Sequence, residues 1–138
     1  MQTPREISEN RAMHGIAVAL LTEDREHLSE LQNRVEATRL ARVVFTNVGF
    51  PHGPTDAILR QIQDLRAEVV VVDISAANPQ PAIKAIELIQ ANTLQLAIFA
   101  NGTMQQPAAI VASMRAGAGE YLDETAGSGT SEEQPATS

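Results

Sequence analysis

The sequence predicts an α/β domain built on a doubly wound, five-stranded parallel sheet with strand order 2-1-3-4-5. Three observations lead there. Short apolar runs alternate with amphipathic stretches along the chain. The runs are nearly continuous in hydrophobicity, as strands are when helices cover both faces of a sheet. Residues that start and stop helices punctuate the stretches between them.

The elements follow in order. Ile16 to Leu21 reads as the first strand, and Leu28, Leu31 and Val35 line one face of the helix after it. Val43 to Phe45 is the second strand. Phe50-Pro51-His52-Gly53-Pro54 then makes a rigid loop, and Thr55 is the expected N-cap of a helix striped by Ile58, Ile62 and Leu65. Val69 to Val72 is the third strand and closes on Asp73. Asn78-Pro79 supplies an N-cap and N1 pair for a helix whose stripe is Ile83, Ile86 and Ile89. Leu96 to Phe99 is the fourth strand. Ile110 and Met114 form the stripe of the fourth helix, read as core, and Gly117 stands where a left-handed helix terminus is wanted. Glu120-Tyr121-Leu122 is a weaker fifth strand. Residues 15–125 are thus expected to form the domain, between a flexible N-terminal segment (1–14) and a linker-like tail (126–138) without an apolar stripe.

Composition narrows the function. The 138-residue chain is 43% hydrophobic but only 3% aromatic, so its core must be built mainly from Val, Ile, Leu and Ala. A net charge of -7 argues against nucleic acid as a partner, because phosphate-backbone affinity comes from clustered Lys and Arg. The absence of cysteine excludes disulfides, zinc-thiolate sites and thiol catalysis. No apolar stretch approaches the span of a bilayer, so no membrane segment is expected, and the cytoplasm is the expected location. His14, His27 and His52 are too scattered in sequence to suggest a metal site and are read as exposed or loop residues. Gly102 and Gly117-Ala118-Gly119 form no nucleotide fingerprint, since no Gly-rich turn joins a strand directly to a helix start.

Asp73 is the candidate functional residue, because the carboxyl ends of parallel strands are where ligands and chemistry collect in such sheets. The order of elements, Asp73 after four valines, and the segment Met114-Arg115-Ala116-Gly117-Ala118-Gly119-Glu120-Tyr121-Leu122 resemble the receiver domain of bacterial two-component response regulators, a flavodoxin- or CheY-like fold. The resemblance implies that Asp73 matches the phosphoacceptor. It places the magnesium-holding acid pair on Thr22-Glu23 with Asp24 beside it, the phosphoryl-binding hydroxyl on Ala100, and the charge-neutralising lysine on Glu124. Phosphoryl transfer is mostly positioning and charge neutralisation, so losing the hydroxyl and reversing the lysine's charge implies a degenerate site with no catalytic role. The only lysine, Lys84, belongs to the third helix. Glu23, Asp24 and Asp73 remain candidate oxygen ligands for a weak Mg²⁺ site, although Glu23 and Asp24 also suit the positive end of the first helix.

Among degenerate receivers the chain is most similar to the N-terminal atypical receiver of TadZ/CpaE pilus-assembly proteins, which precedes a ParA/MinD-like ATPase and helps localise it. That resemblance implies docking, dimerisation or polar targeting rather than chemistry, and places ATP in a different domain. The fold would then lack its usual last helix, or have it replaced, because the tail offers no apolar stripe. Apolar surface beside the first helix would stay uncovered unless a second subunit, a neighbouring domain or the segment Met1 to His14 lies there. A homodimer, a protein partner or a downstream domain is therefore expected. The alternative is a true receiver, phosphorylated on Asp73 by a histidine kinase with Mg²⁺.

Overall fold

The computed structural model describes residues 15–93 and 96–124. The expected N-terminal segment and tail, and whatever follows the fifth strand, lie outside the described residues. β1 (Ile16–Thr22) occupies the middle of the sheet. Its apolar run is buried on both faces: Ala19 and Leu21 join one core cluster, Val18 and Leu20 the other. That is the physical reason for its lack of polar alternation.

Around it lie β2 (Ala41–Val48), β3 (Val69–Asp73), β4 (Ala97–Gly102) and β5 (Glu120–Asp123), all parallel, in the order β2-β1-β3-β4-β5. This matches the expected topology. The β1–β2 register shifts between Val18 and Ala19, whose partners are Val43 and Phe45, so Val44 is the extra residue of a bulge. Every strand points the same way, so the C-terminal ends of β1, β3 and β4 gather Thr22, Asp73 and Asn101 along one rim, with Asp73 paired to Asn101.

The connecting helices are α1 (Arg25–Ala37), α2 (Ala57–Asp64), α3 (Gln80–Asn92) and α4 (Pro107–Ala116). Leu59 and Ile62 of α2, Ile83, Ile86 and Ile89 of α3 and Ala116 of α4 pack with Val70, Val72 and Ile98 in the larger cluster. On the other face Leu31 packs with Val18, Leu20 and Val71, and Leu28 and Val35 border them. Among the described residues, α1 is the helix that serves this second face. Val69, Phe99 and Leu122 on its far side are only partly buried.

Four sequence expectations need correction. The N-cap of α2 is Asp56, not Thr55: its carboxylate accepts from the Ile58 N–H at 2.9 Å and the His52 N–H at 2.9 Å. A carboxylate does this better than a hydroxyl one residue too early. The cap of α3 is Pro79, with no side-chain hydrogen bond, and Pro81 takes the place in the first turn expected of Pro79. In α2 Leu59 is buried, whereas Leu65, at the C-cap, is 46% exposed.

The fourth correction concerns α4. Its buried residues are Ala109, Ser113 and Ala116, while Met114 is 44% and Val111 49% exposed. Close approach to α3 selects small side chains and turns the large ones outward. Gly117 ends the helix with φ +133°, and a Cβ there would stand 2.8 Å from the Gln90 side chain on α3.

Candidate functional site

Asp73 is 7% exposed at the end of β3, and both of its oxygens are engaged. Oδ2 accepts from the Thr22 hydroxyl at 2.7 Å and lies 2.7 Å from His27 Nδ1. Oδ1 accepts from the Asn101 amide at 3.0 Å. The same amide reaches Glu124 Oε1 at 3.2 Å. Hydrogen bonds to a charged group contribute about 1.5–3 kcal/mol each, and a buried carboxylate stripped of them would be strongly destabilising.

Local structure explains how His27 arrives there. Asp24 caps α1 by accepting from the Glu26 and His27 N–H groups at 3.0 and 3.2 Å, and its own N–H donates to Thr22 Oγ1 at 3.1 Å. The Thr22 hydroxyl therefore joins the helix start to Asp73, and the first turn of α1 sets His27 over the rim of the sheet. The first turn of a helix is an unfavourable place for a cation. Two carboxylates offset this, because His27 Nε2 also lies 2.5 Å from Glu124 Oε1. That second approach is off the line of the ring N–H, and Nε2 makes no hydrogen bond, so the contact is one of charge rather than alignment.

Burial alone would drive the His27 pKa down, and it is the largest single influence. The hydrogen bond to Asp73 and the charges of Asp73, Glu124 and Glu30 together outweigh it and hold the pKa above the ordinary histidine value. The same acids act on Tyr121, whose hydroxyl donates to the Thr103 carbonyl at 2.9 Å. Burial first, then Asp123, Glu124 and Asp73, raises its pKa. The cleft over the rim, about 560 Å³, is lined by six acids, Glu23, Asp24, Glu26, Glu30, Asp73 and Glu124, against one base, His27.

The candidates of the sequence are distributed unevenly. Asp73 and Glu124 meet, as the resemblance implied. Ala100 does not face the cleft: it pairs with Val72 and is buried in the core. The residue beside Asp73 on β4 is Asn101, so the expected hydroxyl position was displaced by one, and a carboxamide stands there. Asp24 lines the cleft, but one of its carboxylate oxygens is committed to the backbone of α1. Glu23 lines the cleft. His27 was misread as an exposed or loop residue; it lies on α1 with its side chain 18% exposed. The spacing from Asp24 as N-cap to a histidine three residues on, in a topology that sets this first turn against the rim, is the signal that was available. Lys84 is exposed on α3 and does not line the cleft.

No protein-family model matches the sequence, and no curated protein matches it significantly. Solved structures do. The response regulator domain of Thermotoga maritima CheB superposes with a TM-score of 0.63 at 14% identity over 90% of this chain and 93% of that one. A pilus assembly protein, CpaE, from Burkholderia thailandensis E264 gives 0.62 at 21% identity over 80% and 86%. A CheY-like protein, TadZ, from Pseudomonas aeruginosa PAO1 gives 0.61 at 21% over 79% and 81%. The chain has the receiver fold.

A receiver's Mg²⁺ needs oxygen ligands converging beside the acceptor aspartate. The residues of this receiver fold do not offer them in that arrangement. Thr22 donates its hydroxyl proton to Asp73, Asp24 caps α1, and the His27 ring covers Asp73 Oδ2. No step of phosphoryl transfer is derived through Mg²⁺ here. What the arrangement does is hold one carboxylate in a fixed, charge-compensated state.

Proposed function

We propose that the chain is a pseudo-receiver, a non-catalytic interaction, dimerisation or localisation module that works N-terminal to an ATPase in pilus assembly. One observation carries this reading. Asp73 is held by Thr22, His27 and Asn101, so an attack on phosphorus would first have to break the contacts that keep it buried. Glu124, where a cation is required, adds a second negative charge against an incoming phosphoryl group.

The likeness to the CpaE and TadZ structures supports the pilus context, and no helix among the described residues is long and apolar enough to cross a membrane. The partly buried Phe99 and Leu122, beyond the reach of α1, support a second copy or a neighbouring domain on that face.

The experiment is incubation of the chain with Mg²⁺ and acetyl phosphate, read by intact mass. The expected spectrum is unmodified protein. A stoichiometric phosphoryl adduct that disappears in Asp73→Asn would establish the competing reading, a phosphoacceptor receiver of a two-component system. Light scattering over a concentration series tests dimerisation, and a strict monomer at the highest concentration leaves only a foreign partner or another domain.

A further inference from the structure

His27, Asp73 and Glu124 each offer a ligand atom, and these atoms lie within 4.8 Å of one another. We propose that they form a site for a divalent transition-metal ion, with His27 Nε2 and Glu124 as ligands and Asp73 fixing the ring through Nδ1. This does not rest on the pseudo-receiver reading, since a protein may hold such an ion whether or not Asp73 accepts phosphate.

Three features support it. Nε2 is buried and makes no hydrogen bond, yet it faces the Glu124 oxygen 2.5 Å away. A nitrogen and an oxygen converging in this way, off the hydrogen-bonding direction, suit a shared cation with bonds of about 2.1 Å, which needs them only slightly farther apart. Secondly, the other ring nitrogen stands 2.7 Å from Asp73 Oδ2. A metal-bound histidine commonly donates its second N–H to a carboxylate, which sets the tautomer and the ring plane. Here that carboxylate is itself fixed by Thr22 and by Asn101, a fully buried carboxamide whose Oδ1 has no partner.

Third, the six acids of the cleft draw cations toward it, and Glu30 Oε1, 3.9 Å from Nε2, can approach as a further oxygen ligand. A mixed imidazole and carboxylate set favours Zn²⁺ or Co²⁺ over Mg²⁺, which binds oxygen and gives up its water reluctantly.

The test uses the full chain without a histidine tag, in a His14→Gln/His52→Gln background that removes the other imidazoles. Co²⁺ is titrated and followed by its visible spectrum, and Zn²⁺ by calorimetry. The expected result is one saturable equivalent, a loss of more than about tenfold in affinity for both His27→Gln and Glu124→Gln, and a smaller loss for Asp73→Asn. Millimolar Mg²⁺ should not displace Co²⁺.

Circular dichroism checks that the variants fold; if His27→Gln does not, Glu124→Gln decides, because Glu124 lies beyond the end of β5. Affinities unchanged in Glu124→Gln, the absence of saturable binding, or displacement by equimolar Mg²⁺ would each overturn the proposal.

Discussion

His27 Nδ1 and Asp73 Oδ2 stand 2.7 Å apart although 46 residues separate them in sequence, so α1 and β3 are joined by a charge-assisted contact at the rim of the sheet. With the His27 side chain 18% and that of Asp73 8% exposed, the pair is largely shielded from water. A double-mutant cycle of His27→Gln and Asp73→Asn in urea denaturation should return a coupling of about 1–3 kcal/mol. Additive effects within about 0.3 kcal/mol would mean that the contact contributes nothing to stability.

The same contact predicts a pH dependence with a definite sign. The folded-state pKa of His27 is raised above the value of 6.5 that it has when free. Its contribution is therefore complete below that free value and is lost as pH rises through the folded one. With chelator present, the stability gap between wild type and His27→Gln should narrow from about pH 6 to about pH 9. A gap that widens with pH would reverse the assignment. Asp73, Glu124 and Glu30 are the charges that face the ring and set this sign.

Asp56 tests the corrected start of α2. Asp56→Ala should cost about 1 kcal/mol, and Thr55→Ala should be close to neutral. The Asp56 pKa lies below its free value of 3.8, through the backbone hydrogen bonds from Ile58 and then His52. The contribution is thus present above that free value and lost as pH falls through the folded one. Urea midpoints at neutral and acid pH check both statements; equal costs at the two positions would contradict the cap.

Phe99 and Leu122 test the sheet face beyond α1. If a second copy covers it, Phe99→Ser and Leu122→Ser should each weaken dimerisation about tenfold or more, equivalent to about 1.4 kcal/mol. Met114→Ser, on α4 against the other face, should leave the dimer intact. Sedimentation over a concentration series distinguishes them, and a dimer lost only in Met114→Ser would move the interface to α4.

Much of the fold was legible because its signals are local. The apolar runs of β1 and β3 and the stripe of Ile83, Ile86 and Ile89 are written in nearest-neighbour spacing, and Gly117 marks a helix end by its backbone freedom. The misplaced stripe of α4 shows the limit. Ile110 and Met114 have the period of a buried face, but the close approach of α3 leaves room for Ala109, Ser113 and Ala116 instead. Periodicity reports which residues share a face, not how near the neighbouring helix comes.

The candidate site divides along the same line. The sequence by itself determined that an aspartate would close a buried strand, that no lysine would stand where Glu124 does, and that the cleft would be acidic, since these follow from residue identity and strand order. Only the tertiary structure decided that the base compensating Asp73 is His27 and that Asn101, rather than Ala100, stands beside it. Partner choice across 46 and 28 residues depends on helix phase and strand register, and a shift of one residue in either turns a different side chain toward the acid.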